Sequence, residues 1–316
     1  MEELADRRDA MLRRYPIASF VLIAYAITWS LQIGSLWVAI RSGLELSNED
    51  NARSFAGAFT GDVSGEQGLA LLLFNLGQFG PAIAGTLLIG VLYGRYGLAD
   101  LGRRLGAWRV PSRWYLIVVG LPIALSAAAL GIGFLLGGFS LGPWELKLPA
   151  AAAAGFFLYM VVFTGLAEEP GWRGFALPQL QRTHTAARAS WILGFIWGLW
   201  HVPFTVYFNR EQPFVILPAL LGLTFGIVGW TMVNTWIYNS TGSLLLIVLL
   251  HGWGNTVQSY LVLSQPNFLA HTLYAVLPWA IAIWLSRRYG DETLSDGARR
   301  ALDDDGLDRP LVSTQT

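Results

Sequence analysis

The chain has 316 residues, 54% of them hydrophobic and 13% charged, about half the charged fraction usual in a soluble domain, and its mean hydropathy is +0.47. Its 21 basic and 21 acidic side chains cancel, which argues against nucleic acid as a partner and for lipid as the solvent. No cysteine is present, so disulfides, thiolate metal sites and a cysteine nucleophile are excluded together.

The charges punctuate the chain and so predict its elements. A span needs roughly 20 apolar residues to cross the hydrocarbon core. After the basic residues Arg7, Arg8, Arg13 and Arg14, a charge-free stretch of 26 residues to Arg41 holds a first helix, about 16–40. It is too long for the apolar core of a cleaved signal peptide and is expected to be retained. The outer loop 41–67 is mixed in charge, rich in Gly and Ser, and expected to be irregular. Further charge-free stretches predict helices at about 68–93, 114–139, 150–181 and 189–208. The last such run is 75 residues, from Glu211 to Arg287. Turn-type sequences at Tyr238–Ser243 and Ser264–Asn267 divide it into helices of about 214–237, 243–263 and 268–286.

The expected architecture is therefore all-α: a polytopic integral membrane protein of about eight transmembrane helices in a single bundle. Residues 1–15 form an N-terminal segment, 16–288 the membrane domain, and 289–316 a mobile tail marked by Asp303-Asp304-Asp305. With the N-terminus inside, 17 of the 21 basic residues fall on the inner side, and only Arg41, Arg53, Lys147 and Arg210 fall outside. The asymmetry predicts a multi-pass protein of the cell membrane with both termini cytoplasmic. Arginine outnumbers lysine 20 to 1, which suggests a GC-rich prokaryotic genome. The basic segment from Arg95 to Arg113 suits anionic lipid headgroups as a partner.

Ionisable side chains at membrane depth are costly and call for a reason. Those in the apolar segments are Glu168, Glu169 and Arg173 on the fourth helix, His201 on the fifth, His251 on the seventh and His271 on the eighth. The fourth and fifth helices meet at a turn near 183–187. At 1.5 Å per residue, Glu168 and His201 both lie roughly 18 Å from the inner surface, and His251 roughly 12 Å. Three titratable groups on three helices thus converge. Glu169 and Arg173 have the i,i+4 spacing of an ion pair, and Asn255 lies one turn beyond His251. Pro170 and Gly171 weaken the helix where only protein or water tolerates irregular backbone, which favours a wet cavity. Trp172, Trp197 and Gln258 are placed to line it. His271, near a helix start, is read as a packing or interfacial residue, and Asn234 as interhelical glue.

A carboxylate and an imidazole at one depth can hold and deprotonate water, while His251 and Asn255 could stabilise an oxyanion. The same Glu168, His201 and His251 could instead ligate a divalent metal such as zinc. Spacing alone leaves both open.

Three stretches taken together, Glu-Glu-x-x-x-Arg at 168–173, Trp197-x-x-x-His201 and His-x-x-x-Asn at 251–255, resemble the signature motifs of the CPBP family. That family contains the type II CAAX prenyl endopeptidases and the bacteriocin-processing or immunity proteins. The resemblance covers the motif core, 150–263, with Trp197 standing where the family usually has Phe. It implies an intramembrane endopeptidase opening to the cytoplasm and acting on a membrane-associated, and in some members lipidated, protein. Glu168 would be the general base, His201 its partner on the water, His251 and Asn255 the oxyanion site, and Glu169 with Arg173 a brace. The family is often called a metalloprotease, but a metal-free glutamate mechanism fits the same residues and is preferred. Two other functions compete: a non-catalytic scaffold or immunity-type membrane protein, and a proton-coupled transporter that uses the buried Glu/His cluster.

Overall fold

The computed structural model describes residues 10–137 and 143–311. Each segment expected to be helical contains helix among the described residues, and residues 138–139 of the expected helix 114–139 lie outside them. In chain order the helices are α1 (Pro16–Ser42), α2 (Asn48–Gly57), α3 (Gly65–Gln78), α4 (Gly80–Leu105), α5 (Ser112–Leu136), α6 (Ala150–Leu180), α7 (Ala186–Trp200), α8 (Val202–Phe208), α9 (Pro213–Thr241), α10 (Leu244–Val257), α11 (Phe268–Val276) and α12 (Pro278–Tyr289). Among the described residues six helical stretches are long and apolar enough to cross a membrane, and seven if the bent pair α7–α8 counts as one. Their outward faces carry exposed Leu22, Leu116, Leu158 and Leu221, as lipid-facing surfaces do.

The irregularities occur where the side chains demand them. The expected helix 68–93 is two pieces, α3 and the first half of α4, because Pro81 sits in the first turn of α4 and lacks the N–H needed to continue the α3 ladder. At Gly94, φ is 60° and ψ is −151°, which ends the straight part of α4 and turns the remainder aside. The expected fifth helix is likewise broken: α7 and α8 meet at His201 with a bend of 47°. Pro203 opens α8 and removes the hydrogen bond that would have joined the two. Side chains on α1 serve carbonyls near the bend, Tyr25 Oη donating to Ile196 O and Trp29 Nε1 to Trp200 O.

Glycine lets the central helices approach backbone to backbone. A Cβ on Gly171 would lie 2.2 Å from the Pro81 carbonyl oxygen, and one on Gly252 would lie 2.8 Å from Val161 N. Close small-residue contacts of this kind hold helices together where lipid supplies no hydrophobic drive.

Two expectations are corrected. The outer loop is not wholly irregular, since Ser47 caps α2 by accepting from Asp50 N at 3.1 Å, with Glu49 and Asp50 in the first turn where acids are favoured. The tail is not a loose chain as far as Leu311. Leu294, Ala301 and Leu302 are buried, and β1 (Arg300–Leu302) pairs antiparallel with β2 (Asp308–Pro310). The acidic run that looked solvated is the hairpin turn, in which Asp303 Oδ1 accepts from Asp305 N and Leu307 N. Asp308 takes hydrogen bonds from Arg300 Nε at 2.7 Å and Tyr238 Oη at 3.0 Å. Its own amide donates to Asp100 Oδ2, and Asp100 pairs with buried Arg104 at 2.8 Å. Residues 312–316 lie outside the described residues.

The Gly171→Ala variant should lose about 1–3 kcal/mol of stability, the usual cost of overpacking, because the atom it meets is main chain. A thermal unfolding series in detergent, with Gly155→Ala as the control in open space, checks this.

Candidate active site

Glu168 sits in the short α-helical turn Ala167–Gly171 within α6, between two π-helical turns, Val161–Leu166 and Trp172–Ala176. Pro170 cannot donate to the preceding turn, and the wider π spacing absorbs the mismatch. Three consecutive side chains thereby take separate tasks. Glu168 turns toward a cavity, Glu169 toward a buried partner, and Pro170 toward helix packing.

Glu169 and Arg173 form the expected ion pair. Arg173 Nη1 donates to Glu169 Oε1 at 2.9 Å and Oε2 at 3.0 Å, and neither side chain has any exposed surface. The guanidinium carbon lies 4.4 Å from the centroid of the Trp197 ring, and Arg173 Nη2 donates to Thr231 Oγ1 on α9 at 3.3 Å. Arg173 was grouped with the inner basic residues in the sequence count. It belongs instead to this buried cluster, which among the described residues leaves fourteen basic residues at the terminal end against four.

The same carboxylate holds the histidine of α10. His251 Nδ1 donates to Glu169 Oε1 at 2.7 Å, and its Nε2 points to Glu168 Oε1 at 4.0 Å. Glu168 itself is 3% exposed. Its Oε2 accepts from two indoles, Trp197 Nε1 at 2.8 Å and Trp172 Nε1 at 3.1 Å, which leaves Oε1 free of these donors. Trp197 lines the cavity as expected. Trp172 does not: it is fully buried behind Glu168 and acts as a hydrogen-bond donor.

His201 stands at the α7–α8 bend. Its Nδ1 meets the Trp197 carbonyl oxygen at 2.9 Å. A carbonyl only accepts, so Nδ1 carries the proton and the Nε2 of the neutral ring carries a lone pair. His201, Glu168, His251, Asn255 and Gln258 line one cavity of about 1060 Å³, at the upper end of the size range for ligand sites. Asn255 Nδ2 approaches Thr164 Oγ1 at 3.4 Å. Asn234, expected as glue, also lines this cavity. His271 Nε2 bridges the carbonyls of Val262 and Gln265 at 3.0 and 2.8 Å, closing the turn before α11.

Sequence reasoning missed Thr164 and Thr231. Both hydroxyls also bond carbonyls four residues back, Thr164 to Met160 and Thr231 to Ile227, so in sequence they look like any helical threonine.

In the trio Glu168, His201 and His251, the atoms left without a hydrogen-bond donor or acceptor are Glu168 Oε1 and the Nε2 of each imidazole. Nδ1 bonds to a carbonyl or a carboxylate orient histidines that bind metal as well as those that bind water. Among the described residues no group of three His, Cys, Asp or Glu side chains is set to hold a metal ion.

The cavity opens at one end of the bundle. Its rim carries Asn48, Glu49, Glu145, Lys147, Asn209 and Gln265, tied together by Glu145 N to Ser264 O and Tyr207 Oη to Leu44 O. The opposite end gathers the tail, through Arg182–Asp304, Asp308 N–Asp100 and Ala186 N–Glu292 O, beside the turn joined by Ser243 Oγ–Ala107 O. Cytoplasmic termini and a chamber open to the cytoplasm are therefore incompatible expectations for this fold.

Residues 150–257 match the family model described as type II CAAX prenyl endopeptidase Rce1-like. The chain is also similar to the CAAX prenyl protease 2 of Methanococcus maripaludis, at 26% identity over 228 residues, which cover 69% of this chain and 83% of that protein.

Arg173→Met should cost about 3–5 kcal/mol, since it strands a buried carboxylate. Glu169→Gln combined with Arg173→Met should cost less than Arg173→Met alone, a difference that unfolding in detergent can measure.

Proposed function

From a chain whose core is that of a CPBP-family, CAAX-type intramembrane protease, we propose an endopeptidase that hydrolyses a peptide bond of a membrane-associated protein with water activated by Glu168 and His201. The observation that carries this reading is the free Oε1 of Glu168 facing a cavity also lined by His201, on a carboxylate whose other oxygen is fixed by two indoles.

In the proposed reaction a water in the cavity donates one hydrogen bond to Glu168 Oε1 and the other to the lone pair of His201 Nε2. Glu168 removes a proton as the water oxygen attacks the scissile carbonyl carbon. Asn255 Nδ2 and His251 Nε2 donate to the resulting oxyanion. His251 Nδ1 already donates to Glu169, so Nε2 donates only as an imidazolium. An imidazolium there gives Glu168, Glu169, Arg173 and His251 a net charge of zero, which suits a buried cluster. The tetrahedral intermediate then collapses, the C–N bond breaks, and Glu168 returns its proton to the leaving amine. No step is assigned to a metal.

Glu168→Gln keeps the shape of the side chain and removes the base. Cleavage of the physiological substrate should fall by about 10²-fold or more, with the protein still accumulating in the membrane. His201→Ala should do the same. Unchanged processing in both variants would favour the scaffold, and solute flux in proteoliposomes that responds to Glu168→Gln without proteolysis would favour the transporter.

A further inference from the structure

The two ends of the bundle differ in charge and in access, and together they identify the side from which substrate arrives. The cavity that holds Glu168 runs to the rim formed by the α1–α3 connection, the segment before α6, the α8–α9 turn and the α10–α11 turn. None of the residues lining it comes from the end where the hairpin β1–β2, the α6–α7 turn and the α9–α10 turn meet. Among the described residues that closed end carries fourteen basic side chains, whereas the rim end carries Arg41, Arg53, Lys147 and Arg210. Basic residues in short segments next to spans stay on the cytoplasmic side. The closed end is therefore the cytoplasmic one, and the open end faces away from the cytoplasm.

We infer that the substrate is an extracytoplasmic segment of a membrane-anchored protein that enters the chamber from the outer face, and not a lipidated C-terminus presented from the cytoplasm. The inference rests on the proteolytic reading above and adds the side and the substrate class to it. The chamber suits such a guest. Its rim is polar, with Glu49, Glu145 and Lys147, while Leu223, Ile227, Trp230 and Tyr274 form an apolar part of its wall. A chain leaving its anchor at the outer surface can place apolar side chains on that wall and its backbone beside Glu168. The tail hairpin, docked through Asp308 and Arg300, covers the cytoplasmic end.

The chain has no cysteine, so single-cysteine variants report orientation without background. Glu66 at the start of α3 and Asp305 in the hairpin turn are both exposed and lie at opposite ends. In intact cells a membrane-impermeant maleimide should label the Glu66→Cys variant and leave Asp305→Cys unlabelled until the membrane is permeabilised. The reverse pattern overturns the inference. New N-termini present in wild-type cells and absent from Glu168→Gln cells should map to extracytoplasmic segments of membrane-anchored proteins. Glu168-dependent cuts in cytoplasmic segments would overturn the entry side while leaving the protease intact. The absence of any Glu168-dependent cut would instead remove the proteolysis on which the inference rests, whatever the labelling shows.

Discussion

A carboxylate in the hydrocarbon region has no water to solvate it, and the way this protein meets that constraint organises everything around the cavity. Glu169 is held at both oxygens by Arg173 and at one by His251, with Trp197 and Thr231 against the guanidinium. One buried charge pair thereby joins α6, α7, α9 and α10. Buried pairs of this sort contribute little net stability against an apolar alternative, but breaking one is expensive, so the four helices are kept in a single relative arrangement. Glu168 is the next residue along the chain, and its position is a consequence of that anchorage.

The backbone departs from regular helix at the same places. Two π-helical turns bracket the Glu-Glu pair, a bend of 47° places His201 at a helix junction, and Pro170 and Pro203 account for the lost ladder bonds. The released strain is matched by partners: Tyr25 and Trp29 reach the carbonyls near the bend, and Gly171 lets α6 lie directly on α4. The backbone from Ala167 to Ala176 is enclosed by protein, while the first π-helical turn keeps only apolar Val162 and Leu166 on the outer surface.

The spans and the buried Glu/His/Arg cluster were readable because lipid makes charge expensive. Gaps between charges located the helices, and the few charges inside the gaps, Glu168, Glu169, Arg173, His201 and His251, marked the site. Features that depend on one backbone hydrogen bond were not readable at that level. The break at Pro81, the bend at His201 and the Ser47 cap look like isolated proline or serine choices in sequence. The tail was misread for a related reason: Asp303-Asp304-Asp305 has the composition of a solvated segment, and only the fold reveals Asp308 between Arg300, Tyr238 and Asp100. Trp172 was expected in the cavity wall beside Trp197, but it does not line the cavity. Its indole instead backs Glu168.

The proposed reaction takes place in a chamber closed at the positively charged end and open at the other, with a carboxylate and an imidazole from different helices proposed to act on one water. That claim of joint action is tested most directly by a double-mutant cycle on kcat for Glu168→Gln and His201→Ala. If both groups serve the same proton transfer, the double variant will be no slower than the slower single variant. Losses that multiply, each substitution costing as much in the presence of the other as alone, would contradict it.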